Sequence, residues 1–152
     1  MTHLKVGDRI PDFSGVTQNG DLLKSADFTG KKMAIYFYPK DNTPGCTVQA
    51  CNLRDHFHAL VDAQISIVGV SMDSETSHQK FIEKYELPFP LIADTDRKVI
   101  DAFGVWGPKK FMGKEYDGIH RTTFVIDESG TIQSIITKPK TKEHAAEILA
   151  VF

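Results

Sequence analysis

Two stretches of the chain are apolar at nearly every position. Residues 33–38 (MAIYFY) and 65–70 (ISIVGV) are rich in β-branched and aromatic side chains, the pattern of strands buried on both faces. Between them the apolar positions fall at Ala50, Leu53, Phe57 and Leu60, the three-and-four spacing of a helix packed along one side. Thr43 stands where an N-cap belongs and Pro44 at the first helical position, so a helix is predicted over residues 43 to about 61. A second helix is predicted over 74–85, with Ser74 as its cap, Phe81, Ile82 and Tyr85 as its inner stripe, and a stop before Pro88.

Further along the pattern shortens. Residues 89–92 (FPLI) suit a short strand and 97–103 a brief helix, while 104–118 (GVWGPKKFMGKEYDG) shows neither period and reads as loop. Residues 122–126 (TTFVI) and 131–136 (TIQSII), flanking a turn at 128–130, give a hairpin signal, and a helix over about 142–151 closes the chain. Near the start, 13–23 reads as a small hairpin turning at Asn19-Gly20. The order predicts an α/β fold, a central mixed β-sheet flanked by helices on both faces, in a single domain over residues 1–152.

A chain of 152 residues closes such a core without metal or disulfide staples. The net charge of −2 leaves no basic footprint for nucleic acid or anionic lipid, and Lys31-Lys32 and Lys109-Lys110 read as solvated loop pairs. No apolar run resembles a signal peptide or a membrane span, so a cytoplasmic protein without a membrane partner is expected. In that reducing compartment a permanent disulfide is not expected. Two cysteines there point to transient redox chemistry, a metal, or burial.

Both cysteines lie in one short stretch, DNTPGCTVQAC, from Asp41 to Cys51. Cys46 falls in the first turn of the predicted helix, where free backbone N–H groups and the positive dipole end favour a thiolate. It shares the inward stripe with Ala50 and Leu53; Cys51 falls about 140° away, on the wetter face. Positions five apart in a helix are separated by about 8.7 Å between Cα atoms, and a disulfide needs less than roughly 7 Å. The two sulfurs therefore meet only after the first helical turns unwind. For a metal, Cys46, Cys51, His56 and His58 are close in sequence but spread over different helix faces, and two thiolates are too few for an iron–sulfur cluster. No metal and no organic cofactor is expected. His56 and His58 read as exposed.

The run YFYPKDNTPGCTVQAC over 36–51 resembles the active-site segment of peroxiredoxins, specifically the bacterioferritin comigratory or Q-type subfamily. Pro39, Thr43 and Cys46 match its Pro-x-x-x-Thr-x-x-Cys pattern, and Cys51 matches the subfamily's resolving cysteine. VGDRIPDF, VGVSMDS, LPFPLIADTD and GIHRTTFVIDESGTI carry the similarity over nearly the whole chain. The resemblance implies a thioredoxin-like fold and reduction of hydrogen peroxide or organic hydroperoxides. Cys46 would become a sulfenic acid, Cys51 would condense with it, and thioredoxin or a similar dithiol protein would reduce the pair. It further implies that Thr43 hydrogen-bonds thiolate and substrate, that Pro39 shields the pocket, that Arg121 supplies positive charge, and that the protein is a monomer. Subfamily members often carry Glu at the position of Gln49, and no catalytic role is expected for that residue. An ordinary thiol is only about 3% ionised at pH 7. An Arg about 4 Å away supplies up to about 4 kcal/mol toward the anion at an effective dielectric near 20, and a helix end about 1 more. Two other readings stay open on the residues alone: a disulfide reductase, and a redox sensor that binds a partner when the helix unwinds.

Overall fold

The computed structural model describes residues 2–152. Its centre is a five-stranded sheet whose strands, in spatial order, span Leu91–Ala93, Ile65–Ser71, Lys32–Phe37, Thr122–Ile126 and Ile132–Ile136. The two apolar runs form β3 (Lys32–Phe37) and β4 (Ile65–Ser71), which pair in parallel with Lys32 opposite Ile65. β5 (Leu91–Ala93) adds in parallel to β4, and β8 (Thr122–Ile126) runs antiparallel beside β3. β9 (Ile132–Ile136) completes the hairpin with β8. The sheet is therefore mixed, as the strand order predicts.

Alternation along β3 divides the core. Ala34, Tyr36 and Tyr38 face one way, into a cluster with Ala50, Leu53, Leu60, Phe81 and Ile148. Those residues come from α1 (Pro44–Asp55), α2 (Phe57–Asp62), α3 (Glu75–Tyr85) and α5 (His144–Leu149). Met33, Ile35 and Phe37 face the other way, toward Val99, Ile100 and Phe103 of α4 (Lys98–Phe103) and toward Phe13. Helices thus cover both faces. A small antiparallel pair, β1 (Ser14–Val16) and β2 (Leu22–Lys24), forms the predicted N-terminal hairpin.

Two expectations change. The helix predicted over 43–61 is divided at His56 (φ −110°, ψ 15°), although the Leu53-to-Leu60 stripe stays buried across the kink; no side-chain contact explains the break. The stretch 104–118, predicted as loop, contains a regular hairpin, β6 (Trp106–Phe111) with β7 (Lys114–Ile119), turning at Met112 (φ 51°) and Gly113 (φ 80°). Both central residues have positive φ, as a tight two-residue hairpin turn requires. The hairpin buries neither face of its outer half, so no apolar alternation marks it.

Candidate active site

β3 ends beneath the start of α1, and the loop 39–43 that joins them is held from below. Asp41 is buried, and its carboxylate collects three partners: Tyr38 Oη–H donates to Oδ1 at 2.6 Å, Ser77 Oγ–H to Oδ2 at 2.8 Å, and His78 Nδ1 lies 2.7 Å from Oδ2. His78 Nε2 faces the Ile92 carbonyl at 2.9 Å. The Asp41 N–H donates to Asp73 Oδ2 at 2.8 Å, which also accepts Ser71 Oγ–H at 2.7 Å. Strands β3 and β4 and helix α3 are thereby tied to one loop aspartate. Asp41, Asp73 and His78 place donor atoms within 4.8 Å of one another, but the atoms that converge are engaged in these hydrogen bonds, which makes the cluster a brace. Sequence reading missed it because, apart from nearby Tyr38, Asp41's partners Asp73, Ser77 and His78 lie more than thirty residues downstream.

Above this brace stand the residues predicted for the site. Pro39 is half-buried in the loop. Thr43 occupies the N-cap position of α1 with extended backbone (φ −97°, ψ 156°), yet its side chain does not cap the helix. Its hydroxyl donates to the Lys40 carbonyl at 2.9 Å. Thr43 therefore holds the N-cap position by its backbone alone, and no amide of the first turn donates to its side-chain oxygen. The consequence is chemical: with its proton committed to Lys40, the Thr43 oxygen turns lone pairs outward, and the first-turn amides of α1 are left without a side-chain acceptor.

Cys46 is 2% exposed, on the buried stripe of α1. Arg121, on the two-residue link between β7 and β8, reaches it: Nη2 donates to Cys46 Sγ at 3.2 Å. The other guanidinium nitrogen, Nη1, donates to Gln49 Oε1 at 2.6 Å. Gly45 permits this approach, since a Cβ there would come within 3.3 Å of Nη2. Gln49, for which sequence reading claimed no role, is thus what aims Arg121. A glutamate there would do the same with a charged oxygen. Gln49 is fully buried, and its Nε2 finds no partner among the described residues.

Two further groups belong to this neighbourhood. Tyr36 lies under α1 with its hydroxyl also unpartnered among the described residues; burial pushes its pKa well up, and negative charge at Cys46 adds to the rise. Lys109 is half-buried with Nζ donating to the Ile119 carbonyl at 2.8 Å, which corrects its reading as a solvated loop charge. Burial lowers its pKa and Arg121 lowers it further, while Cys46 acts in the opposite direction. Its neighbour Lys110 is exposed. Cys51 is half-buried on the outer side of α1 and neither cysteine is in a disulfide. The helix is continuous through both, so the separation argued from helix geometry applies. His56 and His58 are exposed as expected. A cavity of about 710 Å3 opens at the opposite end of β3 and β4, beside Lys32, Ile65 and Val61, and involves none of these groups.

A buried cysteine at a helix N-terminus, facing an arginine at the end of a thioredoxin-like sheet, is a setting suited to thiol redox chemistry. Known proteins agree. The AhpC/TSA family pattern matches residues 6–135, and the chain belongs to that family, as a peroxiredoxin and therefore a thiol peroxidase. It is 46% identical over 149 residues to the peroxiredoxin Bcp of Escherichia coli K12, covering 98% of this chain and 96% of that one. Among solved structures it is similar to a mutant of Xylella fastidiosa PrxQ, with a TM-score of 0.91, 30% identity and coverage of 97% and 94%. It is also similar to the bacterioferritin comigratory protein of Xanthomonas campestris, studied for alkyl peroxide reduction, with a TM-score of 0.87, 32% identity and coverage of 99% and 97%. Membership implies a hydroperoxide substrate and a thioredoxin-type reductant. No helix among the described residues is long and apolar enough to cross a membrane.

Proposed function

We propose that residues 1–152 act as one cytoplasmic, monomeric domain that reduces hydrogen peroxide and organic hydroperoxides through a cycle of two cysteines, with thioredoxin as the reductant. The Cys46 thiolate attacks the terminal oxygen of the hydroperoxide; an S–O bond forms, the O–O bond breaks, and the leaving alkoxide takes a proton to become an alcohol or water. Thr43, its own proton donated to Lys40, accepts the hydrogen bond of the peroxide O–H. Arg121 and the first-turn amides of α1 stabilise negative charge first on sulfur and then on the leaving oxygen. Pro39 shields the sulfenic acid from bulk water. After the first turns of α1 open, Cys51 attacks the Cys46 sulfur, an S–S bond forms, and water leaves. A dithiol then returns two electrons and two protons.

The observation that carries this reading is the Arg121 Nη2 to Cys46 Sγ contact of 3.2 Å at the N-terminus of α1. Its test is NADPH consumption coupled through thioredoxin and its reductase. Cys46→Ser should abolish peroxide decomposition. Cys51→Ser should lose steady turnover with thioredoxin while still forming one sulfenate per chain. Retained turnover in Cys46→Ser would refute the assignment.

A further inference from the structure

The segment that follows Cys51 is tied down residue by residue. The Asn52 carboxamide donates from Nδ2 to the Lys142 carbonyl at 2.8 Å and accepts the Ala145 N–H on Oδ1 at 2.8 Å, so one side chain clasps both the turn before α5 and the first turn of α5. Leu53 is fully buried in the core. Arg54 Nη1 donates to the Tyr85 carbonyl at the end of α3, also at 2.8 Å. Three successive residues are thus fixed to three different parts of the molecule. Upstream of Cys51 the pattern differs: among the described residues, the side-chain hydrogen bonds made by residues 44–50 are both donated by Arg121, to Cys46 Sγ and to Gln49 Oε1.

Bringing Cys46 to Cys51 requires the helix between them to open. Once residues 44–50 leave helical geometry, the amides of Leu53 and Arg54 lose their acceptors one turn back, at Gln49 and Ala50. Residues 51–55 are then too short to stay in place by their own helical bonds. Only the anchors remain. We propose that Asn52 is a positioning residue for the resolving step: together with Leu53 and Arg54 it keeps Cys51 as a fixed post, to which the unwound segment 44–50 delivers Cys46. The proposal rests on Cys46 being the sulfur that meets peroxide and Cys51 its partner.

The consequence is a competition between two fates of the Cys46 sulfenic acid. Condensation with the Cys51 thiol forms the disulfide and releases water. Reaction with a second hydroperoxide forms sulfinic acid and releases alcohol or water, and that product is lost to the cycle. A fixed Cys51 raises its effective concentration at the sulfenic acid and favours the first fate.

The experiment mixes reduced enzyme rapidly with hydrogen peroxide, quenches at intervals, and counts sulfenate (as the dimedone adduct), disulfide and sulfinate by mass. In Asn52→Ala, sulfenate formation should stay within about twofold of wild type while disulfide formation slows about tenfold, equivalent to about 1.4 kcal/mol, and sulfinate rises with peroxide concentration. Asn52→Asp, which keeps an acceptor for Ala145 N–H but loses the donor to Lys142, should fall between. Arg54→Gln tests the same post from the α3 side should Asn52→Ala fold poorly. Disulfide formation at the wild-type rate or faster in folded Asn52→Ala would overturn the proposal, because the clasp would then be irrelevant or released during closure. A wild type that forms sulfenate but never a 46–51 disulfide would remove the assignment of Cys51, and the proposal with it, while leaving Cys46 as the peroxide-reacting sulfur.

Discussion

The two sides of the α1 N-terminus are built on opposite plans. Toward α3, the Asp41 carboxylate is met by Tyr38, Ser77 and His78, and both ring nitrogens of His78 face acceptors. Toward β8, Cys46 and Gln49 share Arg121, and two buried polar atoms, Gln49 Nε2 and Tyr36 Oη, have no partner among the described residues. Fully paired buried networks are rigid, whereas unpaired buried groups are expensive. Rigidity therefore sits under the loop, and incomplete pairing sits around the sulfur, where the proposed cycle requires oxygen atoms to enter and the helix to open.

The largest expected effect comes from emptying the incomplete side. Arg121→Gln keeps a polar side chain but removes the positive charge 3.2 Å from Cys46 Sγ, and oxidation of Cys46 by hydrogen peroxide should slow by about 10²–10³-fold, the range for losing one charge-stabilising donor. Stopped-flow fluorescence under excess peroxide reads this directly. A loss below about fivefold would mean that the helix end alone sustains the chemistry.

Breaking the paired side should act on stability instead. His78→Leu leaves the buried Asp41 carboxylate without its ring partner, 2.7 Å away in the native protein, and should destabilise the fold by about 3 kcal/mol, as removal of one member of a buried pair does. Urea unfolding measures it. Adding Asp41→Asn to His78→Leu should recover part of that loss by removing the stranded charge; a double variant as unstable as the sum of the two single ones would show that the pair is not coupled.

A smaller effect concerns His144, a buried ring next to the same face of the sheet. Its Nε2 lies 2.8 Å from Thr123 Oγ1 and its Nδ1 3.0 Å from Glu147 Oε1, an arrangement that a neutral ring satisfies by accepting from Thr123 and donating to Glu147. Burial lowers its pKa below the ordinary value of 6.5, with Glu147 pulling the other way. Between the lowered folded value and about 6.5 the unfolded chain binds a proton that the folded chain refuses. The stability supplied by the neutral ring is therefore complete above about 6.5 and is lost as pH falls beneath it. The advantage of wild type over His144→Gln, measured as a urea midpoint, should shrink between pH 7.5 and 5.5. Parallel curves would mean that the ring takes up its proton without cost.

What the sequence disclosed follows the same division. Buried strands and the amphipathic stripe that runs from α1 into α2 were legible because burial writes a pattern into the chain: Ala50, Leu53 and Leu60 are all fully buried where the spacing puts them. Cys46 and its position in the first turn were legible from Thr43, Pro44 and the same stripe. The β6–β7 hairpin was not, since its outer half buries no face. The Asp41 brace and the Gln49–Arg121 bond were not either, because their long-range contacts join residues 32 to 72 positions apart by polar bonds that leave no periodic trace. Thr43 was placed correctly but its bond was not: an N-cap position specifies backbone, and Lys40 O competes for the hydroxyl with the helix amides.

The sharpest comparison lies within one strand end. Tyr36 and Tyr38 are neighbours on the inward face, each 1% exposed, with rings stacked at 5.4 Å between centroids. They differ in one bond: Tyr38 Oη–H reaches Asp41 Oδ1 at 2.6 Å, and Tyr36 Oη reaches nothing among the described residues. Deleting the Tyr38 hydroxyl orphans a buried carboxylate oxygen and should cost about 1.5–3 kcal/mol. Deleting the Tyr36 hydroxyl removes a polar group already stripped of water, so Tyr36→Phe should be neutral or stabilising by up to about 1 kcal/mol. Urea unfolding of the two single variants gives the result as a difference in sign. Equal losses in both would show that Tyr36 finds a partner in solution, and the two sides of the helix start would then share one plan. A gain in Tyr36→Phe accompanied by slower peroxide turnover would instead place this hydroxyl among the groups that the bound peroxide completes.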